Sequence, residues 1–163
     1  MKKNSATSTQ KKEFQQLLQA HAAAWSKAVE EPEAPARFFA PDEDVICFDL
    51  IPPFAGYRSW QQFKESVPDT ITSATFTMHD GLQVKCKGDL AWTIGGFHIS
   101  LKLKNGEEIE GDARQTAIWE KREGKWLMVH LHESTPVSEG CTPYRADSSE
   151  LQQLKSQLAD NAY

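Results

Sequence analysis

Asp49, His98 and Glu133 are the side chains in this sequence whose chemistry and position suit proton transfer. Asp49 follows a short β-branched and aromatic run, residues 45–48, and stands directly before a proline-rich loop. A carboxylate at the mouth of a cavity becomes a general base when partial burial raises its pKa toward the working pH. An Asp at a strand end also caps backbone N–H groups of the following loop, so both interpretations of Asp49 stay open.

His98 and Glu133 are the candidate helpers of Asp49 in that chemistry. His98 changes charge near neutral pH, although a histidine within a strand is commonly a half-buried, hydrogen-bonded residue with no catalytic role. Glu133 ends an alternating apolar series, so it is either a carboxylate in a cavity or a strand-end residue in solvent. The sequence supports both positions for Glu133.

A long antiparallel hairpin over residues 114–134 positions Glu133. Residues 122–124, Arg-Glu-Gly, suit a three-residue loop made of a type I turn closed by a left-handed glycine. That register predicts an inner face that carries Ala117, Trp119, Leu127, Val129 and Leu131. It predicts an outer face that carries Arg114, Thr116, Ile118, Met128, His130 and His132. A two-residue loop would mate the apolar set with the polar one, which is disfavoured when one face is buried.

The outer face of this hairpin has the composition of a subunit contact. His130 and His132 alternate onto it at a spacing that two zinc ligands can use. Arg114 projects from the same face, where its charge opposes a cation, so no metal site is predicted. Aromatic, Met, Arg and His side chains together are typical of buried interfaces. We therefore predict a symmetric homodimer contact that contains Arg114, Met128, His130 and His132.

The elements before this hairpin are one long helix, a short strand and a short helix. After a frayed, disordered tail over residues 1–12, an apolar stripe at helical spacing runs from Phe14 to Val29. A short strand over 45–48 follows, and Ser59 with Gln62 forms a capping box that opens a helix before Pro68. Four strands are then predicted, at about 71–86, 90–102, 108–121 and 126–134. A C-terminal extension, 138–163, carries a short amphipathic helix with Leu151, Leu154 and Leu158.

Length, charge and cysteine content exclude several classes of protein. The chain has 163 residues with 39% hydrophobic content, which predicts one domain. A net charge of −5 argues against nucleic acid or an anionic membrane as a partner. Cys47, Cys86 and Cys141 are widely spaced, so free thiols in a reducing compartment, the cytoplasm, are expected. The first residues have neither the pattern of a signal peptide nor that of a membrane span.

This order of elements predicts an α+β fold, in which a strongly bent antiparallel sheet wraps the helices and leaves a pocket at its open end. The segment 45–63 and the run 116–134 resemble the nuclear transport factor two-like superfamily, in its SnoaL-like and ketosteroid-isomerase-like branch. The resemblance implies a cone-shaped, cystatin-like fold over about residues 13–137. Residues 88–134, with the pieces 88–89, the Trp119 strand, 124–126 and 130–132, are also similar to the association (hub) domain of calcium/calmodulin-dependent protein kinase II.

The resemblance implies roles for particular residues. In ketosteroid isomerases the position of Asp49 carries the carboxylate that shuttles a proton. Trp25 stands where their oxyanion tyrosine falls, and Gln115 or Ala117 stands where their protonated acid falls. In the kinase hub a pocket with several arginines holds small carboxylates, and the matching positions here are His98, Ala117 and Glu133. Neither pattern is preserved in full.

Two functions from different classes follow. The first is a small, cofactor-independent isomerase, cyclase or dehydratase, or a binder, that takes an apolar or polycyclic carbonyl compound with Asp49 as base. Its predicted ligand-contacting residues, which core packing would also explain, are Trp25, Tyr57, Trp60, Trp92, Gln115 and Trp119. The alternative is a hub-like oligomerisation module with a vestigial pocket, in which the outer face of the hairpin is the functional surface.

Overall fold

The computed structural model describes residues 6–41, 45–49, 56–66 and 71–135. The helices are α1, Ser8–Lys27, and α2, Trp60–Ser66, with a 3₁₀ helix at Ala34–Phe38. The strands are β1, Ile46–Phe48, β2, Tyr57–Arg58, β3, Ile71–Met78, β4, Gln83–Lys87, β5, Leu90–Leu103, β6, Glu108–Arg122, and β7, Lys125–Ser134. The predicted C-terminal helix and Cys141 lie outside the described residues.

Within the described residues the strands form one curved sheet in the order β2-β1-β7-β6-β5-β3, and β4 also pairs with β5. β1 runs parallel to β7, and the other pairings are antiparallel. The α+β prediction with a bent sheet and a long helix is confirmed. None of the described helices is long and apolar enough to cross a membrane.

The first helix begins earlier than the sequence pattern indicated. Thr7 is its N-cap and forms a capping box with Gln10, in which each side chain binds the other's backbone N–H. Residues 8–12 are therefore helical and not part of a frayed tail. Phe14 and Leu18 of this helix are buried, and the Phe14 ring meets the edge of Trp119 with centroids 5.7 Å apart. This contact fixes the helix against the inner face of the sheet.

The hairpin between β6 and β7 has a shorter loop than predicted. Arg122 pairs with Lys125, and the two loop residues Glu123 and Gly124 have φ of 50° and 80°. Positive φ at both central positions is the type I′ turn that two-residue hairpin loops favour. The prediction of a three-residue loop is wrong.

A β-bulge brings the apolar and polar sets of this hairpin back into register. Ile118 pairs with His130 but Trp119 pairs with Met128, so Val129 is an extra residue on β7. Beyond the bulge Ala117 pairs with Leu131, so these two residues share the inner face, as predicted, although the three-residue loop would have paired Ala117 with Val129. The two-residue turn sets the register of the strand pairs next to it. Burial of the apolar face requires a register shifted by one residue further along, and the extra residue Val129 provides that shift.

Met128 is the residue whose predicted position the bulge overturns. Its side chain is fully buried, and its backbone oxygen accepts a hydrogen bond from the Ala40 N–H at 2.9 Å. Met128 is thus part of the core beside Trp119 and cannot contribute to an interface on the outer face. Leu127, which was predicted to point inward, pairs with Glu120 and is only half-buried.

The predicted strand over residues 71–86 is interrupted between Met78 and Gln83, which divides it into β3 and β4. Both pieces pair with β5, β3 along its second half and β4 along its first. Gly95 and Gly96 of β5 lie beside the interruption. Residues 79–82 consequently do not pair with β5 as a strand. His79 keeps one backbone hydrogen bond to β5, from its N–H to the Gly96 oxygen at 2.9 Å.

Candidate functional site

Two carboxyl groups come together at the ends of two parallel strands. Cys47 on β1 pairs with Leu131 on β7, and both side chains are buried on the inner face. Side chains two residues further along each strand share that face, which places Asp49 beside Glu133. The predicted candidates Asp49 and Glu133 are therefore neighbours, although 84 positions separate them in the sequence.

Gln115 completes this group. It pairs with Glu133 across β6 and β7, and its amide Nε2 donates a hydrogen bond to Glu133 Oε1 at 2.8 Å. Gln115 is only 6% exposed, so this contact holds the half-buried carboxyl group of Glu133 in place. We call Asp49, Gln115 and Glu133 the inner carboxyl cluster.

The pKa of Glu133 is strongly shifted. Burial, together with the negative charge of Asp49, raises it to about 8, against a smaller opposite effect of the hydrogen bond from Gln115. At neutral pH Glu133 is therefore mainly protonated, and it can donate as well as accept a proton. Carboxyl groups whose pKa lies near the working pH are suited to general acid–base catalysis.

Cys47 lies beneath this cluster and is inert. Burial, then the charges of Asp49 and Glu133, raises the pKa of its thiol to about 12. The thiolate, and not the thiol, is the nucleophile in cysteine chemistry. The raised pKa therefore argues against Cys47 as a nucleophile.

The aromatic residues predicted to contact a ligand divide into core residues and partly buried ones. Trp119 and Tyr57 are 0% and 3% exposed, and the indole N–H of Trp119 donates to Thr93 Oγ1 at 3.0 Å. Trp25 and Trp60 are half-buried, with ring centroids 5.8 Å apart. The second interpretation, core packing, therefore holds for Trp119 and Tyr57.

The indole N–H of Trp25 already has a partner and is not available to a ligand oxygen. It donates to His21 Nε2 at 2.9 Å. His21 is buried, and burial lowers its pKa to about 3, so the ring is neutral and accepts this bond. Trp25 consequently does not replace the tyrosine that the family resemblance places at this position.

His98 and Trp92 lie on the opposite face of the sheet from the inner carboxyl cluster. On β5 the inner positions are Thr93 and Phe97, which are buried, so the alternate residues Trp92 and His98 face outward. His98 is therefore no helper of Asp49, and Trp92 does not line the inner face. For His98 the structure agrees with the other interpretation, a half-buried and hydrogen-bonded strand histidine.

His98 belongs to a second group of ionisable side chains, which the sequence alone did not reveal. Its Nδ1 lies 2.9 Å from Asp112 Oδ1, and its Nε2 lies 3.1 Å from Glu110 Oε1. His79 Nε2 lies 3.2 Å from the same Asp112 oxygen. We call His79, His98 and Asp112 the outer imidazole cluster. Its ligand atoms lie within 4.8 Å of one another, which makes it the group in the described part of the chain that could hold a metal ion.

The remaining outer-face residues match their predicted positions. His130 and His132 flank the ring of Phe48, with centroids 6.2 and 6.0 Å away. Ile94 and Ile118 are 43% and 39% exposed on the same face. A shallow groove beside them is lined by Ile94, Gly95, Arg114, Gln115, Thr116, His132 and Ser134. The outer face thus presents apolar and histidine side chains to solvent.

Comparison with known proteins identifies the class of fold. The SnoaL-like domain family model matches residues 17–138. A nuclear transport factor 2-like superfamily protein from Salmonella enterica serovar Typhimurium superposes with a TM-score of 0.71 and 22% identity, over 85% of this chain and 99% of the other. The association domain of C. elegans calcium/calmodulin-dependent protein kinase II superposes with a TM-score of 0.58 and 23% identity, over 78% and 96%.

Two further similarities come from an enzyme and from a kinase. A type 2 hexachlorocyclohexane dehydrochlorinase has a TM-score of 0.62 at 14% identity, over 86% of this chain and 99% of the other. In sequence, the calcium/calmodulin-dependent protein kinase type II of Caenorhabditis briggsae is 38% identical over 39 residues. That match spans 24% of this chain and only 7% of the kinase.

Proposed function

The chain belongs to the SnoaL-like domain family, and on that premise we propose that it is a cofactor-independent isomerase or lyase that moves a proton on an apolar carbonyl compound. The inner carboxyl cluster carries the proposal. It combines a carboxylate, Asp49, with a carboxyl group, Glu133, whose pKa is raised to about 8. A base and a proton donor that lie side by side are what such a reaction needs.

The chemistry assigns one role to each carboxyl group. Asp49 removes a proton from the carbon next to the substrate carbonyl, and the electron pair of the broken C–H bond moves toward the carbonyl oxygen. Protonated Glu133 donates a hydrogen bond to that oxygen as its negative charge develops. In an isomerisation, Asp49 then returns the proton to another carbon. In an elimination, the pair from the C–H bond forms a C=C bond, a leaving group departs with the electrons of its own bond to carbon, and Asp49 releases its proton to solvent.

Glu133 also supplies the acid that the family resemblance places elsewhere. Ketosteroid isomerases carry a protonated acid at the position of Gln115 or Ala117 on β6. Here Glu133 occupies the neighbouring strand, directly opposite Gln115 in the register. The amide of Gln115 donates a hydrogen bond to this carboxyl group at 2.8 Å, which gives the acid a defined orientation.

A ligand screen followed by turnover tests this proposal. Steroids, polyketide-like aromatic compounds and small carboxylates are added to the wild type, and a ligand that binds the native state raises its Tm. On any compound that is turned over, Asp49→Asn is expected to lower kcat by about 10²- to 10⁴-fold. Glu108→Gln, which changes an exposed carboxylate that pairs with Lys102, is the matched control. Unchanged binding and turnover in Asp49→Asn would overturn the proposal.

The pH profile of that turnover tests the role of Glu133 separately. Because protonated Glu133 is the active form, kcat falls as the pH rises through about 8. Glu133→Gln keeps a hydrogen-bond donor that does not titrate, so this fall should disappear while a reduced rate remains. A fall that persists in Glu133→Gln would assign the titration to another group.

A second candidate function, oligomerisation through the outer face, is favoured by one observation. Ile94 and Ile118 expose about two-fifths of their surface beside Phe48, His130 and His132. Such apolar and aromatic surface is typical of a contact between two copies of a chain, with Arg114 at its edge. Size-exclusion chromatography with light scattering should give a dimer that Ile118→Arg dissociates. Ile109→Arg changes an equally exposed isoleucine near the far end of β6 and should leave the mass unchanged.

A further inference from the structure

The outer imidazole cluster brings together side chains from three separate segments. His98 lies in β5 and Asp112 in β6, and the register pairs them directly. His79 follows the last residue of β3, on the far side of β5 from β6. Even so, His79 Nε2 and His98 Nδ1 reach the same Asp112 oxygen, at 3.2 and 2.9 Å.

Gly96 lies beside the side chain of His79. The backbone N–H of His79 donates a hydrogen bond to the Gly96 oxygen at 2.9 Å, which holds the backbone of His79 beside the glycine. A Cβ on Gly96 would lie 3.8 Å from His79 Cγ and 3.3 Å from the Ala113 oxygen. A longer side chain there would occupy the space that the imidazole ring crosses on its way to Asp112. The absence of a side chain at Gly96 therefore leaves room for the His79 ring.

The separations of the two imidazole nitrogens from Asp112 Oδ1 are close to those of ligands around a small cation, and all three ligand atoms lie within 4.8 Å of one another. Two ligands about 2.0–2.1 Å from a zinc ion, at the tetrahedral angle, lie roughly 3.3 Å apart. The two separations from Asp112 Oδ1, 3.2 and 2.9 Å, need only small adjustment to meet that value. Two histidines and one carboxylate are a common donor set for divalent transition metals, with further positions open to water.

Glu110 supplies the outer partner that a ligating histidine usually has. Its Oε1 lies 3.1 Å from His98 Nε2, the ring nitrogen that faces away from Asp112. An ion that binds displaces the proton that Nδ1 shares with Asp112, and a proton kept on Nε2 by Glu110 then leaves the Nδ1 lone pair for the ion. Carboxylate–histidine–metal arrangements of this kind fix the tautomer and orient the ring.

We propose that His79, His98 and Asp112 bind a divalent transition-metal ion of the zinc type, with Glu110 as the positioning residue for His98. The three side chains are 43%, 40% and 57% exposed, so an ion can enter directly from solvent. Arg114 pairs with Gly96, two residues along β6 from Asp112, and its charge opposes a cation. Asp112 and Glu110 contribute two negative charges next to the site, which offset the charge of Arg114.

Calorimetric titration of Zn²⁺ into the chelator-treated full chain, at mildly alkaline pH where imidazoles are neutral, tests the site. The wild type should bind one ion per chain in a saturable manner. His98→Ala and Asp112→Asn should each weaken binding by more than about 100-fold, and Glu110→Gln by about 10- to 100-fold. Circular dichroism of each variant checks that the fold is retained.

Two control variants separate this site from other zinc donors. His132→Ala removes an exposed histidine from the other histidine pair, and Cys86→Ser removes a half-buried thiol. Both should bind zinc as the wild type does. No saturable binding in the wild type, wild-type affinity in His98→Ala and Asp112→Asn, or loss of binding in either control would overturn the proposal. None of these outcomes bears on the inner carboxyl cluster, because that cluster lies on the other face of the sheet.

Discussion

The two faces of one sheet carry two clusters of ionisable side chains, and folding shifts their titration in opposite directions. In the inner carboxyl cluster, burial raises the pKa of Glu133 to about 8, and the charge of Asp49 adds to the effect. In the outer imidazole cluster, the hydrogen bond from His98 lowers the pKa of Asp112, while Asp112 and Glu110 raise that of His98. The same kind of group, a carboxyl, is thus driven toward its neutral form on one face and its charged form on the other.

The difference follows from what surrounds each carboxyl group. Glu133 is partly removed from water and lies near the negative charge of Asp49. Both effects destabilise its carboxylate form, so the protonated form is favoured. Asp112 keeps its water and faces imidazole donors, which favour the carboxylate. A group that holds a proton near neutral pH suits proton transfer, whereas a stable carboxylate beside two imidazoles suits a cation. Burial and pairing, and not residue type, decide which chemistry each face supports.

The largest expected effect on stability comes from comparing an inner and an outer residue next to the bulge on β7. Met128 is fully buried, whereas Leu127 is half-buried and packs only at the margin of the core. Met128→Ala should therefore lower the free energy of unfolding by about 2–5 kcal/mol, the usual cost of a cavity in a core. Leu127→Ala is the matched control and should cost about 1 kcal/mol or less. Urea unfolding measures both, and a larger loss in Leu127→Ala would place the bulge elsewhere.

The sequence predicts the faces correctly only where a pattern extends without interruption. Ala117 and Leu131 were assigned to the inner face, and His130 and His132 to the outer face, because alternation alone decides those positions. Met128 and Leu127 were exchanged because Val129 is an extra residue, and nothing in an alternating apolar run marks which residue is the extra one. The sequence leaves the face of His98 open because β5 is apolar on both faces around residues 92–97.

The two clusters differ in how far the sequence could predict them. Asp49, Gln115 and Glu133 were each identified singly, but their contact depends on the parallel pairing of β1 with β7, which local patterns do not encode. The contact between His98 and Asp112 depends on the loop type of the Asn105-Gly106 hairpin. A loop one residue shorter would have paired His98 with Ala113 instead of Asp112. His79 reaches them only because β3 ends beside Gly96.

A smaller effect concerns how stability depends on pH through the inner cluster. The pKa of Glu133 is 4.5 in the reference state and about 8 in the folded protein, so the folded state binds more protons between these values. Stability should therefore fall as the pH rises from about 4.5 to 8 and stay level above that. Glu133→Gln removes this titration. Between pH 4.5 and 8, the free energy of unfolding of Glu133→Gln should rise relative to that of the wild type by an amount of the order of 2 kcal/mol. This figure is discounted for the partial exposure of Glu133.

Urea unfolding of both proteins at a series of pH values measures this slope. Glu108→Gln, on an exposed carboxylate paired with Lys102, should run parallel to the wild type. If Glu133→Gln also ran parallel, Glu133 would titrate normally and the contrast between the two faces would disappear.

The smallest effect lies in the turn that sets which residues of β7 face inward. Glu123 has φ of 50°, a left-handed conformation that costs a residue with an ordinary side chain roughly 1 kcal/mol. Asn tolerates this conformation, and Asn followed by Gly is the preferred pair for a type I′ turn. Glu123→Asn should therefore raise the free energy of unfolding by about 0.5–1 kcal/mol, seen as a higher Tm with unchanged circular dichroism. If the loop had three residues, residue 123 would adopt an ordinary right-handed conformation, and the substitution would bring no gain. The presence or absence of this gain therefore decides between the two loop types. It also tests whether the bulge is what turns Met128 toward the core.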